Sequence, residues 1–180
     1  MSSALSETPT ANPVAEAAGN HRMMFLTVTL PVFALDQLTK HLVSSGMGLH
    51  REIPVLPGWL DLTYTLNPGA AFSLFATMPA SFRRIFFIAL SLAAIVVLST
   101  LIARRSTSRW SAFAFALILG GTLGNLYDRL VNGVVTDFIY FHHAWFSYPV
   151  FNLADSAITI GVAVAVLDSL FERPSAQSRV

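Results

Sequence analysis

The sequence predicts an all-α membrane protein with four transmembrane helices, a small external β-sheet and an external aromatic loop. Hydrophobic residues make up 54% of the 180 residues and charged residues only 12%. A soluble domain carries about 25% charged residues, so this chain has too little polar surface to face water on all sides. Four apolar stretches are also close to the roughly 20 residues that a helix needs to cross a bilayer.

The apolar stretches define the predicted domain organisation. Helices of a soluble core are the alternative, but four such stretches in so short a chain disfavour it. We expect a disordered cytoplasmic tail over residues 1–22, a four-helix membrane domain over 23–172 and a second cytoplasmic tail over 173–180. The stretches run over Met23–Ser45, Ile85–Ala103, Trp110–Leu126 and Val150–Phe171.

The first stretch is predicted to be a retained helix rather than a cleaved signal peptide. It is long for the apolar region of a signal peptide, and it has no clear A-x-A cleavage site. It also contains two charged residues, Asp36 and Lys40, inside the apolar run. We therefore count it as the first membrane helix.

Two connecting segments are predicted to lie on the outer side. Within residues 46–80, apolar and polar residues alternate strictly from Leu60 to Asn67, which indicates a strand with one apolar face. Residues 131–149 are rich in aromatic side chains, which favour the membrane–water interface. We therefore expect a small sheet and an aromatic loop on the outer membrane surface.

The distribution of arginine predicts that both termini are cytoplasmic. Cytoplasmic connections carry an excess of Lys and Arg, and six arginines would lie on that side against four on the other. The cytoplasmic set is Arg22, Arg104, Arg105, Arg109, Arg173 and Arg179, and the outer set is Arg51, Arg83, Arg84 and Arg129.

The polar residues of the membrane domain are predicted to meet at its outer face. Ionisable groups inside membrane helices are costly and are usually functional. Following each helix from its predicted side, nearly all of them fall at the same end, whereas Asp168 falls near the cytoplasmic interface. The outer group is Asp36, Lys40, Asn67, Asn125, Asp128, Arg129, Asp137, Asn152 and Asp155.

Three features near this face have both a structural and a functional interpretation. Asp36 and Lys40 are four residues apart on a helix and can form an ion pair, which would also support a polar cavity. Arg129 can pair with Asp128 or a neighbouring acid, or can meet lipid headgroups. A run of small residues allows close helix packing or makes room for a substrate chain. That run is Gly120, Gly121 and Gly124.

Asp137 and Asp155 are the candidate catalytic residues. One interpretation is a solvated loop acid and an acid that complements a helix N-terminus. The other is a carboxylate pair that shares one proton and titrates as a unit. In such a pair the ionised carboxylate takes a proton from water, which attacks a peptide carbonyl, and the protonated one donates a proton. Sequence spacing alone leaves both interpretations open.

Several other chemistries are disfavoured by the sequence. The chain has no cysteine, which excludes disulfides and thiolate sites, and its net charge of +1 argues against a nucleic-acid partner. The adjacent His142 and His143 lack the i, i+4 spacing of helical metal ligands, so we expect no metal and no cofactor.

Five segments resemble, in order, the signature segments of bacterial lipoprotein signal peptidase, also called signal peptidase II. The resemblance covers Met23 to Phe171. The small departures are Thr136, where the family commonly has valine, and a tail before His21 that is longer than the family needs. The segments are DQLTK at Asp36–Lys40, NPGAAF at Asn67–Phe72, GGTLGNLYDR at Gly120–Arg129, VVTDF at Val134–Phe138 and FNLADS at Phe151–Ser156.

The resemblance implies a bacterial inner-membrane aspartyl endopeptidase with its active site toward the outer side. It implies that the substrates are diacylglyceryl-modified prolipoproteins, cut before the lipidated cysteine, and that the catalytic residues are Asp137 and Asp155. The implied supporting and substrate-contacting residues are Asp36, Lys40, Asn67, Gly121, Asn125, Arg129 and Asn152. Membrane lipids are expected contacts, and we expect a monomer because no obvious association motif is left unassigned.

A small proton-coupled membrane carrier is the alternative function. Its relay would use Asp36, Lys40, Asp137 and Asp155, and it would have to extend through the membrane. The inner halves of the second and third helices carry no acid or base, which favours the peptidase. A non-catalytic assembly partner would not explain two aspartates beside asparagines.

Overall fold

The computed structural model describes residues 23–69, 78–104 and 107–171 of the chain. Both predicted tails lie outside the described residues, as do the last three residues of the NPGAAF segment. The same holds for four arginines on which the predicted orientation depended, namely Arg22, Arg105, Arg173 and Arg179.

The helices occupy the four predicted apolar stretches. Helix α1 is Leu30–Gly46, and a π-helical segment, Phe25–Thr29, leads directly into it. Helices α2, α3 and α4 follow at Ala80–Ala103, Arg109–Val131 and Leu153–Phe171. Within the described chain, α2, α3 and α4 are long and apolar enough to cross a membrane. Helix α1 has 17 residues by itself.

Helix α3 is the centre of the helical bundle because small residues let its neighbours approach closely. A Cβ atom on Gly120 would lie 2.8 Å from the Cβ of Val32 in α1. On α4, a Cβ atom on Gly161 would lie 2.6 Å from Ile118 of α3. The packing interpretation of the small residues is therefore confirmed, and it agrees with the way that membrane helices associate.

A four-stranded antiparallel sheet covers one end of the bundle, with the strands in chain order. Strand β2, Leu60–Asn67, is the predicted alternating strand. Strand β1 is Glu52–Leu56, and the last two strands are β3, Val135–His143, and β4, Phe146–Ser147.

The prediction of a loop over residues 131–149 is wrong, and the all-α description of the fold is too narrow. Most of this segment is β3 and β4, and β3 pairs with β2 along its length, with Asp61 opposite Tyr140 and Leu66 opposite Thr136. Aromatic and β-branched residues favour strands as well as membrane interfaces, so the same composition supported two structures. Asp137 consequently lies in a strand rather than in a loop.

Strand β3 also fixes the approach to α4. The backbone N–H groups of Phe138 and Ile139 donate to the carbonyl oxygen of Phe151, at 3.0 and 2.8 Å. The N–H of Phe151 donates back to the carbonyl oxygen of Ile139 at 3.0 Å. These bonds bring Asp137 next to the residue that begins α4.

Candidate active site

Two polar residues cap the N-terminus of α4 through reciprocal hydrogen bonds. The side-chain oxygen of Asn152 accepts a hydrogen bond from the Asp155 N–H at 2.9 Å, and Asp155 Oδ2 accepts from the Asn152 N–H at 3.3 Å. This reciprocal arrangement is a capping box, which satisfies two backbone donors at a helix start. The FNLADS segment therefore sets the position of Asp155 by local geometry.

Asp137 is buried, with only 2% of its surface exposed, and it accepts hydrogen bonds from two asparagines. Asn152 Nδ2 donates to Asp137 Oδ1 at 2.7 Å, and Asn67 Nδ2 donates to Asp137 Oδ2 at 2.9 Å. Asn67 is itself oriented, because its Oδ1 accepts from the Gly69 N–H at 2.9 Å. Asn152 thus contacts both candidate catalytic aspartates.

Asn125 connects Asp155 to a buried ammonium group. Its Nδ2 donates to Asp155 Oδ1 at 2.8 Å, while its Oδ1 accepts from Lys40 Nζ at 2.9 Å and from Asn152 Nδ2 at 3.1 Å. An amide oxygen that faces two donors fixes which way the amide points. The NH₂ group of Asn125 is therefore directed at Asp155.

Lys40 forms the predicted ion pair with Asp36, at 2.8 Å from Nζ to Oδ2, and a second ion pair with Asp128 at 3.0 Å. Asp36 is fully buried, and its other oxygen accepts from the Ala154 N–H at the start of α4 at 2.9 Å. The geometry is compatible with both a structural ion pair and support of a polar cavity. The ion pair balances buried charge, and Asp36 links α1 to the helix that carries Asp155.

Asp128, one of the alternative partners predicted for Arg129, pairs with Lys40 instead. Arg129 nevertheless lies close to the acidic residues. Its Nη1 donates to the carbonyl oxygen of Asn125 at 3.3 Å, and its guanidinium lies 5.0 Å from the ring centroid of Phe87. Arg129 also interacts electrostatically with Asp155, Asp137 and Asp128. Its positive charge therefore acts on the carboxylate pair from α3.

Gly121 lies in the contact between α3 and α4. A Cβ atom on it would collide with the carbonyl oxygen of Ala154 and would lie 2.8 Å from Cγ1 of Ile158. Packing therefore accounts for this glycine, and its implied role beside the substrate stays a prediction. Gly124 is similar, because a Cβ atom there would collide with the carboxylate of Asp36.

The electrostatics of Asp137 differ from those of an ordinary carboxylate. Burial, and then the negative charge of Asp155, raise the pKa of Asp137 to about 7, against the hydrogen bonds from Asn67 and Asn152 and the charge of Lys40. The pair with Asp155 therefore holds a proton at pH values at which an ordinary aspartate has lost it. A group poised near the working pH is suited to donate or accept a proton.

A cleft of about 300 Å³ opens beside Asp155. The hydroxyls of Ser156 and Thr159 donate to backbone carbonyls of their own helix, at 3.0 and 2.8 Å, so they present mainly carbon to the cleft. The remaining wall is aromatic and aliphatic, and it consists of Phe141, Tyr148, Phe151 and Ile160. The cleft therefore suits an apolar occupant next to a carboxylate.

A larger cavity, of about 620 Å³, lies at the opposite end of the bundle, between the residues that precede α1 and the start of α3. Its walls carry one titratable group, Arg109, among methionine, aromatic and small side chains. The smaller cleft is therefore the better candidate site, because it lies beside Asp155, a candidate catalytic carboxylate.

Two features of this network are not apparent from the sequence. Asp128 was predicted to lie with the other polar residues, but nothing in the sequence indicates that it accepts from the Thr136 N–H, at 3.1 Å. The sequence prediction also omits Gln37, whose side chain donates to both Asp36 and Asp128. Its position directly after Asp36 in the DQLTK segment was the available signal.

The fold and the site define a helical membrane protein with a buried acidic site at one end of its bundle. A sequence model of signal peptidase (SPase) II matches residues 28–171. The chain therefore belongs to the signal peptidase II family.

Curated relatives and solved structures agree with this assignment. The lipoprotein signal peptidase of Desulforapulum autotrophicum is 42% identical over 147 residues, which cover 81% of this chain and 91% of the relative. That of Pseudomonas aeruginosa strain UCBPP-PA14 is 41% identical over 163 residues, with 87% and 94% covered. A bacterial membrane enzyme solved by the in meso method superposes with a TM-score of 0.73 at 27% identity, and the match covers 87% of this chain and 93% of that one.

Proposed function

We propose that this chain is a membrane aspartyl endopeptidase whose catalytic residues are Asp137 and Asp155. Its reaction is the removal of the signal peptide from diacylglyceryl-modified prolipoproteins by a cut before the lipidated cysteine. Family membership supports the reaction and the substrate class. The observation that supports the catalytic assignment is that Asn152 donates hydrogen bonds to the carboxyl groups of both aspartates. The raised pKa of Asp137, about 7, agrees with it.

The proposed mechanism uses one proton held by the pair. Ionised Asp155 takes a proton from a water molecule, and the water oxygen attacks the carbonyl carbon of the scissile peptide bond. Protonated Asp137 donates its proton to the carbonyl oxygen, which gives a neutral tetrahedral diol. The proton on Asp155 then passes to the leaving nitrogen as the C–N bond breaks, and Asp137 recovers its proton as the carbonyl re-forms.

The surrounding residues hold this pair in place and control its charge. Asn67 and Asn152 orient the carboxyl of Asp137, and Asn125 orients that of Asp155. Preoriented donors of this kind lower a barrier because they need no rearrangement during the reaction. The positive charges of Lys40 and Arg129 keep the net charge of the site low.

We infer that the protein has four membrane spans, with α1 and the preceding π-helical segment forming the fourth. The five π-helical residues and the 17 residues of α1 are consecutive and make 22, which is long enough to cross a bilayer. Both termini would then be cytoplasmic in the bacterial inner membrane, with the carboxylate pair toward the outer side. The arginine count of the sequence, six residues toward the other end of the bundle against four toward the carboxylate pair, supports this orientation.

A lipidated cysteine would reach the site laterally, with its acyl chains in the bilayer. The apolar cleft beside Asp155 supports this route, because apolar chain can lie next to a carboxylate there. No partner subunit is needed to complete the network of aspartates and asparagines, so we propose that the enzyme acts as a monomer.

The comparisons do not support the carrier alternative. Between Arg84 and the end of α2, and between Arg109 and Asn125 of α3, the sequence has no ionisable residue. A proton relay across the membrane would lack groups along both helices.

The test is separate replacement of the aspartates by asparagine, which keeps size and removes the shared proton. Asp137→Asn and Asp155→Asn should each lower cleavage of a purified lipidated precursor by about 10³-fold, the usual contribution of a positioned acid or base. A gel-mobility assay with the precursor measures the rate, and membrane fractionation checks insertion. Asp168→Asn is the matched control and should cleave normally. Normal cleavage by either of the other two variants would refute the catalytic assignment.

A further inference from the structure

A chain of hydrogen bonds leads from α1 to the backbone next to Asp137. Gln37 Nε2 donates to Asp128 Oδ1 at 3.2 Å, and Asp128 Oδ2 accepts from the Thr136 N–H at 3.1 Å. Thr136 immediately precedes Asp137, and Asp128 is only 2% exposed. The position of one candidate catalytic carboxyl is thus connected to a glutamine outside the catalytic pair.

Gln37 is placed where two carboxylates would otherwise repel each other. Its Nε2 also lies 3.1 Å from Asp36 Oδ2 and 3.2 Å from the carbonyl oxygen of Gly124. Asp36 and Asp128 interact electrostatically and share one cation, Lys40. A neutral donor between them binds both acids without adding charge. Gln37 contacts Oδ1 of Asp128, and Lys40 contacts Oδ2 at 3.0 Å, so the two side chains together hold Asp128 in the orientation that reaches Thr136.

On the side that faces α3, the start of β3 is held by Asp128. Thr136 is paired with Leu66 of β2, and its carbonyl oxygen accepts from Asn152 Nδ2 at 3.3 Å. Its N–H is directed at Asp128 of α3 instead. Rotation of the Asp128 carboxylate would therefore release the N–H and let Asp137 shift relative to Asp155.

We propose that Gln37 is a positioning residue for the peptidase reaction, acting on Asp137 through Asp128 and the Thr136 N–H. The inference rests on the proposed function of Asp137 and Asp155. A misplacement of about 1 Å at a reacting group costs on the order of 10²-fold in rate. Gln37→Leu should therefore lower kcat by about 10-fold or more and leave KM nearly unchanged, since the substrate cleft is not altered.

The first experiment is a double-mutant cycle with a control on the same helix. Cleavage by Gln37→Leu is measured in the wild-type background and in an Asp128→Asn background, and His41→Leu, an exposed change one turn further along, controls for loss of a polar side chain. If Gln37 acts through Asp128, its effect should largely disappear in the second background, because contacting residues are not additive. An equal effect in both backgrounds, or a rise in KM with normal kcat, would overturn the proposal.

The second experiment uses pH and remains informative if Asp128→Asn fails to fold. Gln37→Glu is nearly isosteric, and its protonated form can donate one O–H to Asp128, whereas its ionised form repels both acids. The activity of Gln37→Glu relative to wild type should fall from about pH 5 to about pH 8, a range in which buried carboxyls titrate. The ratio for Gln37→Leu should stay flat. A flat ratio for Gln37→Glu would contradict the proposal, with folding checked by melting temperature at each pH.

Failure here is distinguishable from failure of the proposed function. If Asp137→Asn cleaves normally, the catalytic assignment is wrong whatever Gln37 does. If Asp137→Asn is inactive and Gln37→Leu has the wild-type kcat, only the positioning role is wrong.

Discussion

The two ends of the helical bundle each hold a polar cluster at a helix start, and the clusters differ in how their charges are balanced. At the end that is inner in the proposed orientation, the carboxylate of Asp168 on α4 accepts hydrogen bonds from the hydroxyls of Ser108 and Ser111. Ser108 also caps α3, since its oxygen accepts from the Ser111 N–H at 2.9 Å. At the end that is outer in the proposed orientation, four aspartates share amide donors and one ammonium group.

This difference explains why only one cluster is suited to chemistry. Hydroxyls rotate freely, so Ser108 and Ser111 can both turn a hydrogen toward a single acid, and Asp168 meets no competing carboxylate among its described contacts. In the outer cluster, Asp137 and Asp155 are close enough for the charge of one to raise the pKa of the other. Like charges in a buried site force a proton to be shared, and a shared proton can be moved.

The largest effect on kcat that can be compared with an effect on stability is expected at Asn152. Asn152→Ala removes both the helix cap and the donor to Asp137, whereas Asn152→Ser keeps a capping oxygen but is too short to reach Asp137. Both variants should lose about 10²-fold in kcat. The alanine variant should in addition be about 1 kcal/mol less stable than the serine variant, because it lacks a capping oxygen. Thermal melting in detergent and cleavage rates measure the two effects. Recovery of kcat in Asn152→Ser would show that capping alone matters.

A smaller effect is expected in the pH dependence. Because the pKa of Asp137 is raised to about 7, kcat/KM should fall as pH rises through about 7 and the pair loses its proton. Asn67 donates to the carboxyl and favours its ionised form, so Asn67→Ala should raise the pKa further and move this fall to higher pH. Cleavage of the lipidated precursor across a buffer series measures both curves. Asp168→Asn should leave the curve unmoved, and a fall at lower pH in Asn67→Ala would contradict the assignment.

The smallest effect on activity is expected at the inner cluster. Asp168→Asn removes the negative charge at the start of α3 and weakens its link to α4, but it touches nothing near the carboxylate pair. The melting temperature should fall slightly, while kcat and KM stay at the wild-type values. A clear loss of kcat in a folded variant would mean that the two ends are coupled, contrary to the comparison.

Local geometry decided which parts of the molecule were predictable from sequence. The pairing of Asp36 with Lys40 depends only on the spacing of one helix turn, and the strand Leu60–Asn67 only on alternation; both predictions are confirmed. The strand Val135–His143 was missed because aromatic residues suit a membrane interface as well as a sheet, and only the pairing with β2 distinguishes them.

The network around the site was only partly predictable. Its members could be assigned to one face, because that assignment requires only counting along helices. The contact of Asp128 with the Thr136 N–H could not, because it depends on how α3 and β3 meet in space. The bridging role of Gln37 was hidden for the same reason, because its position directly after Asp36 does not indicate that it also contacts Asp128 on α3.

Asn152 links the folding of the protein to its readiness for reaction. The side-chain oxygen of Asn152 caps α4, and its side-chain nitrogen donates to the carboxyl of Asp137. A newly inserted chain in which α4 has not docked therefore lacks the oriented acid. Biogenesis would then deliver a protease that is inactive until α4 reaches its place in the bundle.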